Sequence, residues 1–102
     1  MIHVIAVLTA KPGKRDAVLQ AFRANVPNVL AEAGCIEYGA AVDVETGLSW
    51  QAKHGPEAFV VVEKWADLAA LQAHAVAPHM KAFTGQIAEL LAERAIYVLD
   101  PT

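Results

Sequence analysis

A single cysteine, Cys35, in 102 residues leaves the chain with no intrachain disulfide and no thiolate cluster for zinc or iron–sulfur; alone at the start of an apolar segment it reads as core. Cations are also scarce. Lys and Arg number 8 against 11 Asp and Glu, the formal charge is -3, and the densest basic stretch is the short Lys11–Arg15 patch. A nucleic-acid surface, which needs clustered positive charge, is therefore not expected. No segment approaches the roughly 18 uninterrupted apolar residues that crossing a bilayer requires, and no charged signal region precedes the first apolar segment. The expectation is a soluble, cytoplasmic protein without a membrane partner. A glycine-rich phosphate loop is missing too, since Lys11-Pro12-Gly13-Lys14 lacks the spacing and serves as a strand-to-helix turn. Among four histidines, His74 and His79 stand five apart with Pro78 between them, unlike the i,i+4 pair of a helical zinc site, and no third ligand is fixed. Neither a metal nor a flavin or nicotinamide cofactor is expected.

What the sequence has in quantity is apolar surface, 56% of residues. A chain of this length forms one domain, here 1–102, and a small domain buries only part of its surface, so self-association is the economical cover for the remainder. Read along the chain, the pattern changes period several times. Ile2 to Thr9 is a nearly continuous, β-branched apolar run, the signature of a central strand covered on both faces. From about Lys14 to Ala33, Val18, Phe22, Val26, Val29 and Ala33 recur at helical spacing, with Pro27 predicting a bend. Gly34 sits where a helix stops, and Cys35 to Val44 follows as a strand with Ile36, Tyr38, Ala40 and Val42 on one face. Residues 45–57 form a long hairpin connection carrying Trp50 and His54. Ala58 to Trp65 is the third strand. Asp67 caps a short helix with Leu68, Leu71 and Ala75, Pro78 opens another with Met80, Phe83, Ile87 and Leu90, and Arg94 to Leu99 is the last strand.

The order β-α-β-β-α-α-β predicts an α+β, ferredoxin-like four-stranded antiparallel sheet with helices on one face. Helices so placed cover only one side of the sheet. The first strand is nonetheless apolar at Ile5 and Val7 as well as at Val4, Ala6 and Leu8, and the third carries Val60 and Val62 opposite Phe59, Val61 and Trp65. Two such sheets facing one another in a homodimer would hide both open faces and leave a cavity between sheet and helices.

Several short segments together resemble the antibiotic-biosynthesis monooxygenase-like proteins, which include small quinol and anthrone monooxygenases and haem-degrading relatives. They are Val7 to Lys14, then Ala31-Glu32-Ala33-Gly34-Cys35 running into Tyr38, then Val62-Glu63-Lys64-Trp65, then Leu71-Gln72-Ala73-His74 with Pro78-His79-Met80-Lys81-Ala82-Phe83. The resemblance implies a dimeric α+β barrel, often with the last strand reaching towards the partner, and a monooxygenase that oxidises a small aromatic or quinol substrate with molecular oxygen and no cofactor. By the same resemblance, Trp65, His79 and Tyr38 match a tryptophan, a histidine and a tyrosine cited as functional in such enzymes. Two departures stand out: Ala33 replaces the usual proline before Gly34, and the 45–57 connection is longer than usual. The haem-degrading branch pairs a first-strand asparagine with a ligating histidine, whereas this chain offers His3 and no asparagine.

The third strand places Phe59, Val61, Glu63 and Trp65 on one face, a carboxylate between aromatic groups on an apolar surface. Taking a proton from a phenolic hydroxyl requires a base, donors that orient the substrate and a cavity that excludes water. The candidate site is therefore His79 as base, Tyr38 and Glu63 as orienting groups and Trp65 as a stacking platform. Each also has a plain structural reading: Trp65 as core or interface, Tyr38 reaching solvent, Glu63 as a rim ion-pair partner, His79 as a helix-start residue. A dimeric binding protein without catalysis, or an isomerase or haem-degrading enzyme on the same scaffold, remain the competing functional readings.

Overall fold

The computed structural model describes all residues from Met1 to Thr102. The elements run β1 (Ile2–Ala10), α1 (Arg15–Leu30), β2 (Cys35–Ala41), β3 (Ala58–Trp65), α2 (Leu68–Ala75), α3 (Pro78–Ile87) and β4 (Leu91–Leu99). The strands form one antiparallel sheet in the order β2-β3-β1-β4. This is the ferredoxin-like arrangement expected from the element order, with the helices packed on one face.

Strand periodicity settles which side chains meet them. Along β1, Val4, Ala6, Leu8 and Ala10 are buried while Ile5 and Val7 on the other face are half-buried. Along β3, Phe59, Val61, Glu63 and Trp65 are buried and Val60 and Val62 half-buried. Cross-strand pairing of Ile5 with Val62 and Tyr97 extends this second apolar face over three strands. Helix α1 closes the first face with Val18, Phe22 and Val29, as its spacing predicts, and continues through the solvent-facing Pro27 to Leu30. Ala33 lies beyond it and is exposed. Asp67 caps α2 by accepting the Ala70 N–H at 2.8 Å, and Pro78 opens α3 where its missing N–H is harmless.

Besides the end of α1, at Leu30 instead of Ala33, the end of β2, the register at its start and the start of β4 differ from the sequence reading. Strand β2 ends at Ala41, short of Val44, because Asp43 turns its carboxylate onto the His54 and Gly55 N–H groups at 3.1 and 2.9 Å and folds the following segment on itself. These two donors hold the Asp43 carboxyl below its ordinary pKa. A bulge between Cys35 and Glu37 throws Ile36 out of Tyr38's row, so Ile36 is exposed while Tyr38 is buried. Leu90 leaves the helix because its carbonyl accepts the Lys11 N–H at 2.8 Å, which draws the chain into the sheet and starts β4 at Leu91 rather than Arg94.

Gly34 ties the turn after α1 to α2. Its φ is +83°, and a Cβ built there would lie 2.6 Å from the Ala70 Cβ. Gly34→Ala therefore combines left-handed backbone strain with a clash between elements. Its expected destabilisation is about 1–3 kcal/mol, read as a lower urea midpoint at unchanged slope. A midpoint equal to that of the parent would show that the turn relaxes freely.

Candidate active site

Between the sheet and its helices lies a cavity of about 370 Å³. Its floor is Val4, Ala6 and Leu8 of β1 with Val61 of β3, and its roof includes Phe22, Leu71, Met80 and Phe83. Into this apolar enclosure project Tyr38 from β2, Glu63 from β3 and His74 from the last turn of α2, while Arg94 of β4 stands at the opposite edge of the sheet. Few convergent polar groups in a largely apolar pocket is the usual constitution of a small-molecule site.

The polar wall is held by contacts from behind. Glu63, only 7% exposed, accepts the Trp65 indole N–H on Oε1 at 2.9 Å. The Trp65 ring lies on the His74 imidazole with centroids 4.6 Å apart, and Tyr38 meets the same imidazole edge-on at 5.6 Å. Phe22 stacks on Tyr38 at 5.2 Å. His74 Nδ1 lies 2.7 Å from Oε2 of Glu32, in the turn between α1 and β2. A carboxylate only accepts, so Nδ1 carries the hydrogen and Nε2 is left as the acceptor of the neutral ring.

Burial shapes the electrostatics. It raises the Glu63 carboxyl pKa, an effect partly offset by the Trp65 hydrogen bond and by His74, with Glu32 adding to the rise. It also raises the Tyr38 hydroxyl, with Glu63 and Glu32 contributing, so the phenol stays a neutral donor. The Cys35 thiol is raised chiefly by burial as well, which makes it an unreactive group. Because the folded state binds the Glu63 proton more readily than the unfolded chain, its contribution to stability falls as pH rises above the ordinary carboxyl value of 4.5. Glu63→Gln, which keeps an acceptor for Trp65, is expected to raise the melting temperature at neutral pH. The gain should shrink towards about pH 4, where Glu63 is already protonated; a gain independent of pH would refute this assignment.

Two of the four residues expected from sequence, Tyr38 and Glu63, line the cavity. Trp65 and His79 do not. Trp65 is 0% exposed and supports Glu63 and His74 from behind, so its ring is out of reach of a bound molecule. His79, displaced by the turn between α2 and α3, borders a separate cleft between α1 and α3 that also touches Asn25, Asn28 and Gln86. His79 Nε2 approaches Glu32 Oε2 at 3.4 Å but is not aligned for a hydrogen bond, and neither of its buried ring nitrogens has a partner. His3 alternates with the cavity floor, lies on the open face of the sheet and contacts Met1 Sδ at 3.2 Å, which removes the first-strand histidine from any haem bound in the cavity. His54 is exposed on the 45–57 connection. Neither His74 nor Glu32 carries a catalytic signature in the sequence. The available signal was that His74 follows Leu71 by three positions, the inward face of α2.

A ferredoxin-like sheet with its helices on one face, and between them a cavity walled by Tyr38, Glu63 and His74, makes an α+β scaffold, and comparison with known proteins gives that scaffold its family. The profile of the family described as "Antibiotic biosynthesis monooxygenase" matches residues 1–86, and the chain belongs to that family. It is 40% identical over 103 aligned positions to the probable quinol monooxygenase YgiN of Escherichia coli, covering 99% of this chain and 98% of that one. A solved protein of Pseudomonas aeruginosa superposes with a TM-score of 0.81 at 31% identity, over 99% of this chain and 93% of its own. One from Mycobacterium tuberculosis gives 0.81 at 26% identity, over 99% and 94%.

Proposed function

We propose that the protein is a cofactor-independent monooxygenase that oxidises a small aromatic or quinol substrate with molecular oxygen. The observation that carries this reading is the apolar cavity with Tyr38, Glu63 and His74 on one wall and Glu32 bonded behind the imidazole. Oxygen in its triplet ground state reacts slowly with a neutral phenol and accepts an electron far more readily from its anion. Removing one hydroxyl proton is thus the step that a protein without a cofactor must supply. His74 Nε2 takes that proton, in the role expected of His79, and the Glu32 carboxylate fixes the tautomer and stabilises the imidazolium. Tyr38 donates to a substrate oxygen, Glu63 stands beside it as an orienting group, and the apolar lining keeps water from the anion. Trp65 positions Glu63 and His74 instead of stacking on the substrate. Membership of the family and the likeness to a probable quinol monooxygenase support the same substrate class. Oxygen-electrode measurements with a panel of hydroquinones and naphthohydroquinones, on protein shown free of metal and flavin, test it: uptake above the uncatalysed rate is expected, and its absence across the panel overturns the reading.

The working unit in this proposal is a homodimer closed as an α+β barrel. Ile5, Val7, Val60 and Val62 are only half-buried, and Tyr97 and Leu99 are 54% and 48% exposed on the face without helices. A second copy laid on that face removes this apolar surface from water. Sedimentation equilibrium at micromolar protein should return about twice the chain mass; a monomer throughout that range would contradict the barrel.

A further inference from the structure

His79 is a residue that the proposed chemistry does not yet use, and its surroundings are unusual. It occupies the first turn of α3, after Pro78, and both ring nitrogens are sealed from solvent without a hydrogen-bond partner. The side chain as a whole is 25% exposed, but its two polar atoms are covered and unpaired. The nearest charged atom is Glu32 Oε2 at 3.4 Å, the same oxygen that lies 2.7 Å from His74 Nδ1. One carboxylate oxygen therefore stands between two imidazoles, of which His74 faces the cavity and His79 faces away from it. Glu32 is itself largely enclosed, its side chain 16% exposed.

The balance of the reaction gives this arrangement a use. A hydroquinone and O2 yield a hydroxylated quinone and water, with no net release of protons. The proton removed to form the substrate anion must therefore be given back when the peroxide formed from oxygen is protonated. The mouth of the cavity lies at the exposed Arg94, Ile96 and Val98 of β4, at the sheet edge opposite Tyr38, so a proton vented there would have to cross the apolar interior that holds the substrate. We propose that Glu32 and His79 form a proton store behind His74.

His74 Nε2 takes the substrate proton to give the imidazolium that Glu32 stabilises; its Nδ1–H is then passed to Glu32 Oε2, and Glu32 passes it to Nε2 of His79. The result is a substrate anion, a neutral His74, a carboxylate at Glu32 and an imidazolium at His79. Protonation converts the poor contact at 3.4 Å into a charge-assisted hydrogen bond after a small rotation of the ring, so the unsatisfied imidazole is the form poised to accept. The reverse transfer supplies the peroxide oxygen. Other ionisable groups reach this triad from the sheet: Glu63 of β3 acts on His74 and Glu32, and Tyr38 and Cys35 of β2 feel the Glu32 charge. On the far side, the cleft beside His79 contributes Asn25, Asn28 and Gln86, which are uncharged.

The store rests on the assignment of His74 as base, so its test has one arm that needs turnover and one that does not. With a hydroquinone substrate, His79→Gln should lower kcat by about tenfold, less than loss of the base itself, with KM unchanged and the acid limb of the pH profile displaced. Imidazole added to His79→Ala, whose truncated ring enlarges the neighbouring cleft of about 240 Å³, should restore part of the rate. Independently of any substrate, 15N NMR of the ring nitrogens should show His74 and His79 titrating in linked steps, and Glu32→Gln should unlink them. Wild-type kcat and pH profile in His79→Gln, or a His74 titration indifferent to the loss of His79, would overturn the store. Absence of oxygen uptake in the unmodified protein would instead overturn the oxygenase reading, with the NMR linkage still deciding whether the two imidazoles share a proton.

Discussion

His74→Ala is expected to lower oxygen uptake with a hydroquinone by about a hundredfold or more, the range a general base supplies being 10²–10⁴. The effect should fall on kcat, because Tyr38 and Glu63 still hold the substrate oxygens and the apolar lining is unchanged. Folding should survive. The imidazole is buried against Trp65 and bonded to Glu32, so its removal lowers stability, but it also borders the cavity and the loss falls short of unfolding the domain. Sedimentation and far-UV circular dichroism on the same preparation separate lost chemistry from lost structure. Glu32→Gln is the informative companion. It keeps a side chain of the same shape beside Nδ1 at 2.7 Å but withdraws the negative charge that stabilises the imidazolium, so kcat should fall while the site stays assembled. Steady-state kinetics at a fixed oxygen concentration check both, and a His74→Ala protein turning over at the parent rate would place the base elsewhere.

The largest effect on stability is expected at Trp65. The side chain is fully buried, donates its N–H to Glu63 and covers His74, so Trp65→Ala removes packing and a hydrogen bond together. The expected loss is about 3–5 kcal/mol, measured as the change in unfolding free energy in urea at constant slope. Trp65→Phe divides the two contributions. It retains most of the ring volume and leaves Glu63 Oε1 without its donor, which should destabilise by about 1–3 kcal/mol and raise the Glu63 pKa further. A loss below about 1 kcal/mol for Trp65→Ala would mean that the indole is not the support described.

Much of this was legible in the sequence. The two-residue period of β3 put Phe59, Val61, Glu63 and Trp65 on one face, and the three-to-four-residue period of α1 turned Val18, Phe22 and Val29 inward, because both patterns are dictated by backbone geometry alone. Asp67 and Pro78 marked helix starts for equally local reasons, a side-chain acceptor and a missing N–H, whereas Gly34, expected to stop α1, lies four residues past Leu30 in the turn into β2. What was not legible depends on contacts distant in sequence. Ile36 parts from Tyr38 because of a bulge that only the β2–β3 register reveals. Leu90 leaves the helix for a carbonyl bond to Lys11, nearly eighty positions earlier. The exchange of His79 for His74 at the cavity has the same origin. Both lie near α2 and α3, and the turn at Val76-Ala77 determines which imidazole meets Tyr38 and which meets the α1 side. Glu32 was invisible as a functional group because an acidic residue beside a helix-ending glycine is ordinary; its significance comes from the 42 residues of chain that fold His74 back onto it.

The family supplies a scaffold, and what distinguishes an oxygenase from a binding protein on that scaffold is the fate of oxygen atoms. The most direct measurement is therefore turnover of a hydroquinone under 18O2 with protein free of metal and flavin, followed by mass spectrometry of the product. The account of a dry cavity with His74 and Glu32 as its base predicts one 18O atom in the quinone product and the other in water, with incorporation abolished in His74→Ala. Product carrying no label, formed alongside hydrogen peroxide at the uncatalysed rate, would contradict it.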